Sequence, residues 1–386
     1  MGRHQEGYIW RKGGNWYGRW WDAVVEDGRV VRRQKARRLA PYCDRYRSER
    51  DVRPLLDEIL RPINEGKAKP ESTLPVATFV ENYYLPFAQE NCRPSTYSAY
   101  ATQWRTYLAS RLTKTTLRDF RTVDAANLLG EIHVCHRLSR STLRHLKAFM
   151  SAVFTFAKNQ GILDGLNPIQ DAMIPKKAAA PKETHANTTD EVLSMMAALE
   201  NAGERRACAA IAMMFFAGLR PGEARGANWE NFDGKRLYIK RSIWRTYATE
   251  PKTAEASKPV PIIDPLRSLL AELRVADGNP ESGPILRGPV GKPLNLDNLA
   301  KRTVRPILKA AGMKWHGWYA LRRGIATLVN SVEKDAMAAK GLLRHASVIT
   351  TQKHYIKEVP GITLKAMEKI EALCTNRATA EPNEVN

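Results

Sequence analysis

A tyrosine near the C-terminus, Tyr355, lies in a segment whose residue types could support nucleophilic chemistry. A phenol has a solution pKa of about 10, so it attacks poorly at neutral pH unless cations surround the group under attack and a base or acid lies nearby. His345 precedes it across a short Ser/Thr-rich turn and could serve as that neighbour. Taken alone, the segment is more typical of an amphipathic surface, so residues upstream must decide between the two interpretations.

Two arginines upstream could supply the cations. Arg220 follows a buried apolar helix predicted over 209–217 and stands in Gly218-Leu-Arg-Pro-Gly-Glu, a tight turn that would face its guanidinium outward. Arg322 stands in Tyr319-Ala-Leu-Arg-Arg, where a helix is predicted to begin. The paired N–H donors of a guanidinium match the oxygens of a phosphate better than the point charge of a lysine does.

A lysine between these arginines is the third candidate cation. Lys252 follows a predicted strand over 236–240 and precedes its predicted partner over 258–262, so we expect it in the turn that joins them. Glu223 and Arg323 stand close to the two arginines in sequence and are expected to support them.

The composition indicates the kind of partner. Lys and Arg number 61 against 40 Asp and Glu, a net charge of +21, and an excess of this size predicts a polyphosphate partner. No apolar run reaches the roughly 18 residues of a transmembrane helix, and the first residues lack the apolar stretch of a secretory signal. The five scattered cysteines form no Cys-x-x-Cys pair, so we expect no disulfide framework, no zinc site and no cofactor. These features favour a cytoplasmic, nucleoid-associated protein.

The N-terminal region is basic beyond its length, with 13 Lys and Arg against 6 Asp and Glu in residues 1–50. Gly-Gly-Asn and Glu-Asp-Gly separate three runs of strand-forming residues, which predicts a small sheet of three short strands with an exposed cationic face. Such a sheet could enter a major groove and contact phosphates, and the aromatics between the arginines favour this interpretation. A solvated basic hairpin used for protein contacts is the alternative.

The rest of the chain is predicted to be mainly helical, which makes the fold class α+β. Helical periodicity covers 74–174 and includes a long helix over 141–159, while Pro86 is expected to kink or end an earlier helix. A Pro/Ala/Lys segment without periodicity predicts a linker. The expected organisation is a sheet domain at 1–68, a helical domain at 74–174, a linker at 175–187, a mostly helical domain with a small β-sheet at 188–374, and a polar tail at 375–386.

Together these residues resemble the tyrosine recombinases, or phage-type integrases. That family's pattern is Gly-Leu-Arg-x-x-Glu, a hairpin lysine, His-x-Leu-Arg-Arg, Leu-Gly-His and a terminal tyrosine. The corresponding residues occur here in the same order between residues 218 and 355. The helical unit is similar to the family's core-binding domain and the basic sheet to its arm-type DNA-binding domain, so the resemblance covers nearly the whole chain.

The resemblance implies a role for each residue. Tyr355 would attack a DNA phosphodiester, and Arg220 and Arg322 would donate to its non-bridging oxygens. Lys252 would protonate the leaving 5′ oxygen, while His345 would donate to a phosphate oxygen or handle the tyrosine proton. The product would be a 3′-phosphotyrosine link with a free 5′ hydroxyl. The 5′ hydroxyl of a second strand could then attack this link and rejoin the DNA without metal or ATP.

The resemblance also implies partners. Double-stranded DNA would be the substrate, bound by a homotetramer that joins two duplexes through a Holliday junction and integrates or excises a mobile element. An accessory excisionase or DNA-bending protein could assist. The final helix carries four apolar residues that could pack on a neighbouring protomer or cover their own core, namely Ile362, Leu364, Met367 and Ile370.

Three positions depart from the family pattern. Tyr319 stands where the family has a histidine, and its phenol can donate a hydrogen bond but is not a cation near pH 7. Arg344 stands where the family has glycine. The separation from His345 to Tyr355 is ten residues rather than nine, which places His354 at the usual position of the nucleophile. An extra residue within a helix would rotate the phenol by about 100°, so we expect the loop to absorb it.

These departures leave a second hypothesis, a catalytically impaired, recombinase-like protein that binds DNA without cutting it. Because both arginines, the lysine, the histidine and the tyrosine are all retained, the sequence favours an active enzyme. A type IB topoisomerase shares the chemistry, but the basic sheet followed by a helical unit favours a recombinase.

Overall fold

A computed structural model describes residues 4–180 and 183–355 of this chain. The chain divides into two compact units, with the division between Lys182 and Glu183. The apolar positions of the predicted final helix and the predicted polar tail lie outside the described residues. Among the described residues, no helix is both long and apolar enough to cross a membrane.

The first unit begins with an antiparallel sheet in the order β1-β2-β3, as predicted. The strands are β1 Tyr8–Lys12, β2 Asn15–Glu26 and β3 Arg29–Pro41. Both predicted turns are present, and positive φ angles at Gly13, Gly14, Asp27 and Gly28 close them. The expectation of three short strands was wrong for two of them, because β2 and β3 have 12 and 13 residues and pair along almost their whole length.

One face of this sheet is buried and the other carries the basic residues. Helix α1, Glu49–Asn64, packs on the buried face with the side chains of Val52, Leu56 and Leu60. Alternate residues of β2, among them Trp16 and Trp20, point toward it, which is the period-two pattern of a half-buried strand. Nearly all of β3 is exposed, so its arginines and lysines remain free of the core.

The remainder of the first unit is helical. Its helices are α2 Val76–Phe79, α3 Leu85–Asn91, α4 Pro94–Gln103, α5 Thr122–His136 and α6 Arg140–Asn159. An ion pair of 2.6 Å between half-buried Arg118 and buried Asp22 links this part to strand β2. The core forms mainly around α6. This helix begins one residue before the predicted start and ends at the predicted residue.

Of the two predicted effects of Pro86, a kink or the end of the helix, the structure excludes the end, because the helix continues to Asn91. The backbone passes from α2 through a π-helical turn, Val80–Tyr84, directly into α3, in which Pro86 occupies the first turn. A proline cannot donate an N–H bond to the preceding turn, and the wider π turn just before it supplies the needed break in register. Similar π turns occur at Trp104–Leu108 and at Ala300–Val304, the latter also just before a proline.

The second unit is mostly helical with two small hairpin-like sheets among its described residues. The helices are α7 Thr189–Asn201, α8 Arg205–Phe215, α9 Pro221–Gly226, α10 Asp264–Ala276, α11 Leu296–Leu299, α12 Arg305–Ala310, α13 Trp318–Glu333, α14 Ala336–Leu343 and α15 Val348–His354. The strands are β4 Arg236–Leu237, β5 Ser242–Trp244, β6 Tyr247–Thr249 and β7 Val260–Pro261.

Strands β4 and β7 pair as expected, but they are shorter than predicted and do not enclose a simple turn. A second hairpin, β5–β6, lies between them in the chain. Arg225 holds this hairpin against α9, because its guanidinium donates to the carbonyl oxygens of Ile243 at 3.3 Å and Arg245 at 2.8 Å. The hairpin is therefore fixed to the helix that begins beside Arg220.

Helices α8 and α13 organise the core of the second unit. From Ala207 to Phe215 every residue of α8 is buried, and α13 packs along it. The other side of α13 meets the segment that leads into α7, where the backbone N–H of Asn187 donates to the Ala320 carbonyl at 3.1 Å. Gly324 permits this approach, since a Cβ there would lie 2.1 Å from the Asn187 carbonyl oxygen and 3.0 Å from the Phe215 ring.

We predict that Gly324→Ala destabilises the protein by about 1–3 kcal/mol or more, because the added methyl overpacks the contact between α13 and the Asn187 backbone. Urea or thermal unfolding measures the change. Gly341→Ala in α14 is the matched control, since a Cβ there meets nothing within 4 Å. It should stabilise the helix by roughly 0.5–1 kcal/mol. Equal stability of the two variants would contradict the packing argument.

Candidate active site

Arg220 is positioned by the turn that joins α8 to α9. It is the N-cap of α9, where Pro221 occupies the first helical position and Gly218 adopts a φ of +57°. The Glu223 carboxylate accepts from the Arg220 backbone N–H at 3.0 Å and from its Nη1 at 2.6 Å. About 30% of the Arg220 side chain remains exposed, so its guanidinium can reach a ligand from solvent.

Arg322 lies in the first turns of α13 and is fully buried. Its Nη1 donates to the Gly218 carbonyl, and its Nη2 donates to the Leu343 carbonyl at 2.5 Å and to His345 Nε2 at 3.0 Å. Within the described chain its Nε has no hydrogen-bond partner. This guanidinium therefore joins the start of α13 to the turn before α9 and to the end of α14.

His345 is buried between Arg322 and Thr351. Because Arg322 donates to Nε2, that nitrogen is unprotonated, and Nδ1 lies 2.8 Å from the Thr351 hydroxyl, to which it donates. Burial lowers the pKa of His345 to about 3, and the charges of Arg322, Arg220 and Arg344 act in the same direction. The imidazole is therefore neutral at physiological pH.

Tyr355 follows α15 directly and is half-buried against the site. Its ring centroid lies 4.6 Å from the His345 ring, and the Arg322 guanidinium carbon lies 5.5 Å from it. His354, which occupies the nine-residue position, is exposed. The loop after α14 and the short α15 thus absorb the tenth residue, and the structure brings Tyr355 rather than His354 against His345.

Glu223 is the acidic residue among these cations. It is buried, and besides Arg220 it contacts the guanidinium of Arg344, whose Nη2 donates to Glu223 Oε2 at 2.5 Å. Burial raises the pKa of Glu223, but Arg344, then Arg220 and Arg322, outweigh it and hold that pKa below its usual range. The carboxylate therefore stays ionised next to three guanidiniums.

Tyr319 lies at the mouth of the same site, with 46% of its surface exposed. Partial burial raises the pKa of Tyr319, Tyr355 raises it further, and Arg322 and Arg220 partly offset the increase. His316, three residues earlier, instead stacks on His185 with ring centroids 3.9 Å apart. Tyr319 is thus a neutral phenol beside Arg220, Arg322 and Tyr355.

Two of the sequence candidates make no direct contact with this group. Arg323 donates from Nε to the His185 carbonyl at 2.7 Å and so holds the segment before α7. Lys252 is exposed in the segment after β6 and lines a cleft with Lys240, Glu250 and Ser257. Among the described residues, no hydrogen bond or ion pair joins Lys252 to the arginines, His345 or Tyr355.

Two contributors were not identified as site residues from the sequence. Arg344 was noted only as a departure from glycine, and Thr351 was not noted at all. An arginine where the family has glycine is the one sequence signal that could have marked Arg344, and the structure gives that position a left-handed φ of +52°. The described residues contain no group of three or more His, Cys, Asp or Glu arranged to hold a metal ion.

The site lies in a part of the chain that matches a known family. Residues 187–360 match the family model described as "Phage integrase family". A tyrosine recombinase XerC-like protein from Caldanaerobacter subterraneus subsp. tengcongensis is 22% identical over 380 residues, covering 90% of this chain and 93% of the relative. A tyrosine recombinase XerC from a Methylobacterium species is 25% identical over 276 residues, covering 67% of this chain and 82% of the relative.

Solved structures show the same fold. The Tn1549 transposon integrase in complex with transposon right end DNA has a TM-score of 0.62 at 16% identity, covering 77% of this chain and 100% of that one. A lambda integrase dimer bound to a COC′ core site has a TM-score of 0.55 at 17% identity, covering 99% of this chain and 97% of that one. Arg220, Arg322, His345 and Tyr355 all lie inside the region that matches the phage integrase family model, and the chain is similar to the tyrosine recombinases.

Proposed function

We propose that this protein is a site-specific DNA recombinase that cleaves and rejoins DNA through a 3′-phosphotyrosine intermediate. The observation that carries the proposal is the packing of the Tyr355 ring on His345 and beside Arg322, at the edge of a cluster of three arginines. A phenol in this position has an imidazole beside it and cations for the charge that its attack creates.

The reaction requires the Tyr355 oxygen to bond to phosphorus while the bond from phosphorus to the 5′ oxygen breaks. The transition state carries more negative charge than the phosphodiester, and fixed guanidiniums stabilise it without reorganising. Arg220 is the donor to the non-bridging oxygens, because its guanidinium is partly exposed and one nitrogen is held by Glu223.

The role of Arg322 differs from the paired donation expected from the sequence. Both of its terminal nitrogens already donate, to the Gly218 and Leu343 carbonyls and to His345. Burial lowers the pKa of Arg322 to about 10, so it remains charged at pH 7. In this arrangement Arg322 contributes a buried positive charge and orients His345, and its Nε–H and second Nη1–H are the donors left for a phosphate.

His345 is the neutral side chain to which we assign the proton of the Tyr355 hydroxyl. Its Nδ1–H is held by Thr351, which fixes the tautomer and leaves Nε2 as the acceptor. A neutral imidazole suits a group that receives the Tyr355 proton rather than an acid that donates to the phosphate, and Nε2 becomes available for that proton when Arg322 Nη2 turns away from it. Lys252 would protonate the leaving 5′ oxygen after approaching the site with the segment that follows β6.

Double-stranded DNA is the proposed substrate and partner. The exposed face of the N-terminal sheet carries cationic and aromatic residues in contact, such as Arg32 over Trp21 at 5.3 Å and Arg19 over Tyr8 at 5.1 Å. This face suits an arm-type site distant from the cleaved bond. One solved relative is a lambda integrase tetramer bound to a Holliday junction, with a TM-score of 0.58 at 17% identity, covering 93% of this chain and 98% of that one. On this basis we propose a homotetramer on two duplexes.

We also propose the domain boundaries expected from the sequence, with Tyr355 as the nucleophile and Glu223 and Arg323 as supporting residues. Integration or excision of a mobile element, with help from an excisionase or DNA-bending protein, is the biological role that this chemistry serves. Such a role places the protein at the nucleoid in the cytoplasm. A DNA-binding protein that no longer cuts is the competing function, favoured by the neutral phenol at Tyr319.

We predict that Tyr355→Phe abolishes a covalent protein–DNA band that the wild type forms, because the variant lacks the attacking oxygen. Labelled DNA from the ends of the encoding element, nicked so that cleavage releases a short fragment, traps the intermediate. Denaturing gels without added metal detect it.

Tyr319→Phe is the matched control for this measurement, since it removes a second phenol from the same site and should still give the band at a reduced rate. A band that survives in Tyr355→Phe would assign the nucleophile elsewhere. Retention of DNA in native gels by a wild type that never forms the band would favour the binding protein.

We predict that Lys252→Ala slows cleavage of ordinary DNA by roughly 10²–10⁴-fold, the usual contribution of a general acid. A substrate with sulfur in place of the bridging 5′ oxygen should restore the rate to within about tenfold of wild type, because a thiolate leaves without a proton. Single-turnover cleavage measures both rates.

Lys240→Ala is the control for the lysine, since Lys240 lines the same cleft and should leave both rates unchanged. If the sulfur substrate fails to rescue Lys252→Ala, then Lys252 does not protonate the leaving group.

We predict that His345 makes folding sensitive to acid. Its pKa is about 3 in the folded protein and about 6.5 when unfolded, so the unfolded state binds more protons and stability falls as pH drops below about 6.5. Between pH 7 and pH 5 the wild type should lose about 2 kcal/mol more unfolding free energy than His345→Gln. Urea unfolding at both pH values measures this, and equal losses would mean that His345 titrates normally.

A further inference from the structure

The buried carboxylate of Glu223 is shared between two arginines. Oε1 accepts from Arg220 Nη1, while Oε2 accepts from the Arg220 backbone N–H and from Arg344 Nη2. Only Arg220 among these side chains is substantially exposed, since Arg344 and Glu223 are both buried. The contact to Arg220 therefore faces the proposed phosphate position, and the contact to Arg344 lies on the interior side.

This sharing has an electrostatic consequence for Arg220. A buried carboxylate that loses its partner costs several kcal/mol, so a lone Glu223 would hold the Arg220 guanidinium strongly. With Arg344 in place, Glu223 keeps an ion pair of 2.5 Å when Arg220 turns toward a phosphate. The side chain of Arg220 is then free to exchange one partner for another.

The unpaired N–H donors of Arg344 also indicate that its contact with Glu223 is what holds it. Within the described chain its Nε and Nη1 have no hydrogen-bond partner, although the side chain is 2% exposed. Buried guanidiniums normally satisfy their donors, so this residue is held chiefly by its charge contact with Glu223. The cluster of Arg220, Arg322 and Arg344 against Glu223 carries a surplus of two positive charges, which matches the two negative charges of a phosphodiester under attack.

We propose that Arg344 is a positioning residue that holds the Glu223 carboxylate and thereby releases the Arg220 guanidinium to bind the scissile phosphate. This inference rests on the proposed DNA cleavage. It assigns no contact between Arg344 and DNA, and its effect passes through Glu223 alone.

The test is a double-mutant cycle on single-turnover cleavage of the nicked substrate by the full chain. Arg344→Met should slow covalent complex formation by about tenfold or more, which corresponds to about 1.4 kcal/mol in the barrier. Arg344→Lys keeps the charge beside Glu223 and should stay within about threefold of the wild type. Arg267→Met, which removes an exposed ion pair on α10, is the control and should cleave at the wild-type rate.

The decisive comparison is between Glu223→Gln and the double variant Glu223→Gln with Arg344→Met. Once Glu223 is neutral, Arg344 has nothing to hold, so the two should cleave at the same rate. This comparison also stands if Arg344→Met alone does not fold, because the double variant removes both buried charges together.

Three results would overturn the inference. They are a wild-type rate in folded Arg344→Met, a loss in Arg344→Lys as large as in Arg344→Met, and a double variant about tenfold slower than Glu223→Gln. The last would mean that Arg344 acts on the DNA directly. Absence of a covalent complex with the wild type is a different result, since it contradicts the proposed function itself.

Discussion

The candidate active site in the second unit depends on the hydrogen bonds of the fully buried Arg322 guanidinium. A charge withdrawn from water is tolerated only where polar groups replace its hydration, and here two backbone carbonyls and one imidazole do so. These partners come from the turn before α9 and from the end of α14, which are far apart in the chain. Arg322 consequently fixes the relative positions of the segments that carry Arg220 and His345.

The carboxylate of Glu223 completes this arrangement. Three guanidiniums so close together repel one another, and burial lowers the pKa of Arg322 and of Arg344. One buried carboxylate offsets part of that repulsion without neutralising the cluster. The site therefore keeps a net positive potential in a place with little water, where it acts more strongly on an incoming phosphate than surface lysines would.

Much of the architecture was predictable from local patterns. Gly-Gly-Asn and Glu-Asp-Gly located both turns of the N-terminal sheet, and helical periodicity over 141–159 located α6. The hairpin β5–β6 and the π turn before Pro86 were not predicted, because both depend on contacts rather than on local preference. Arg225 holds the hairpin from another element, and the π turn keeps the helix packed across a proline.

The sequence alone determined which residue types could act, in which order they occur and which family they resemble, since motifs and spacing are properties of the chain. It predicted Tyr355 rather than His354 as the nucleophile, but it could not show that the terminal nitrogens of Arg322 donate to two backbone carbonyls and to His345. Only the tertiary structure decided that Arg344 meets Glu223, a contact between residues 121 positions apart. Local sequence does not determine such a contact, because the two charges meet only when α14 packs on α13 and Arg322 holds the turn before α9.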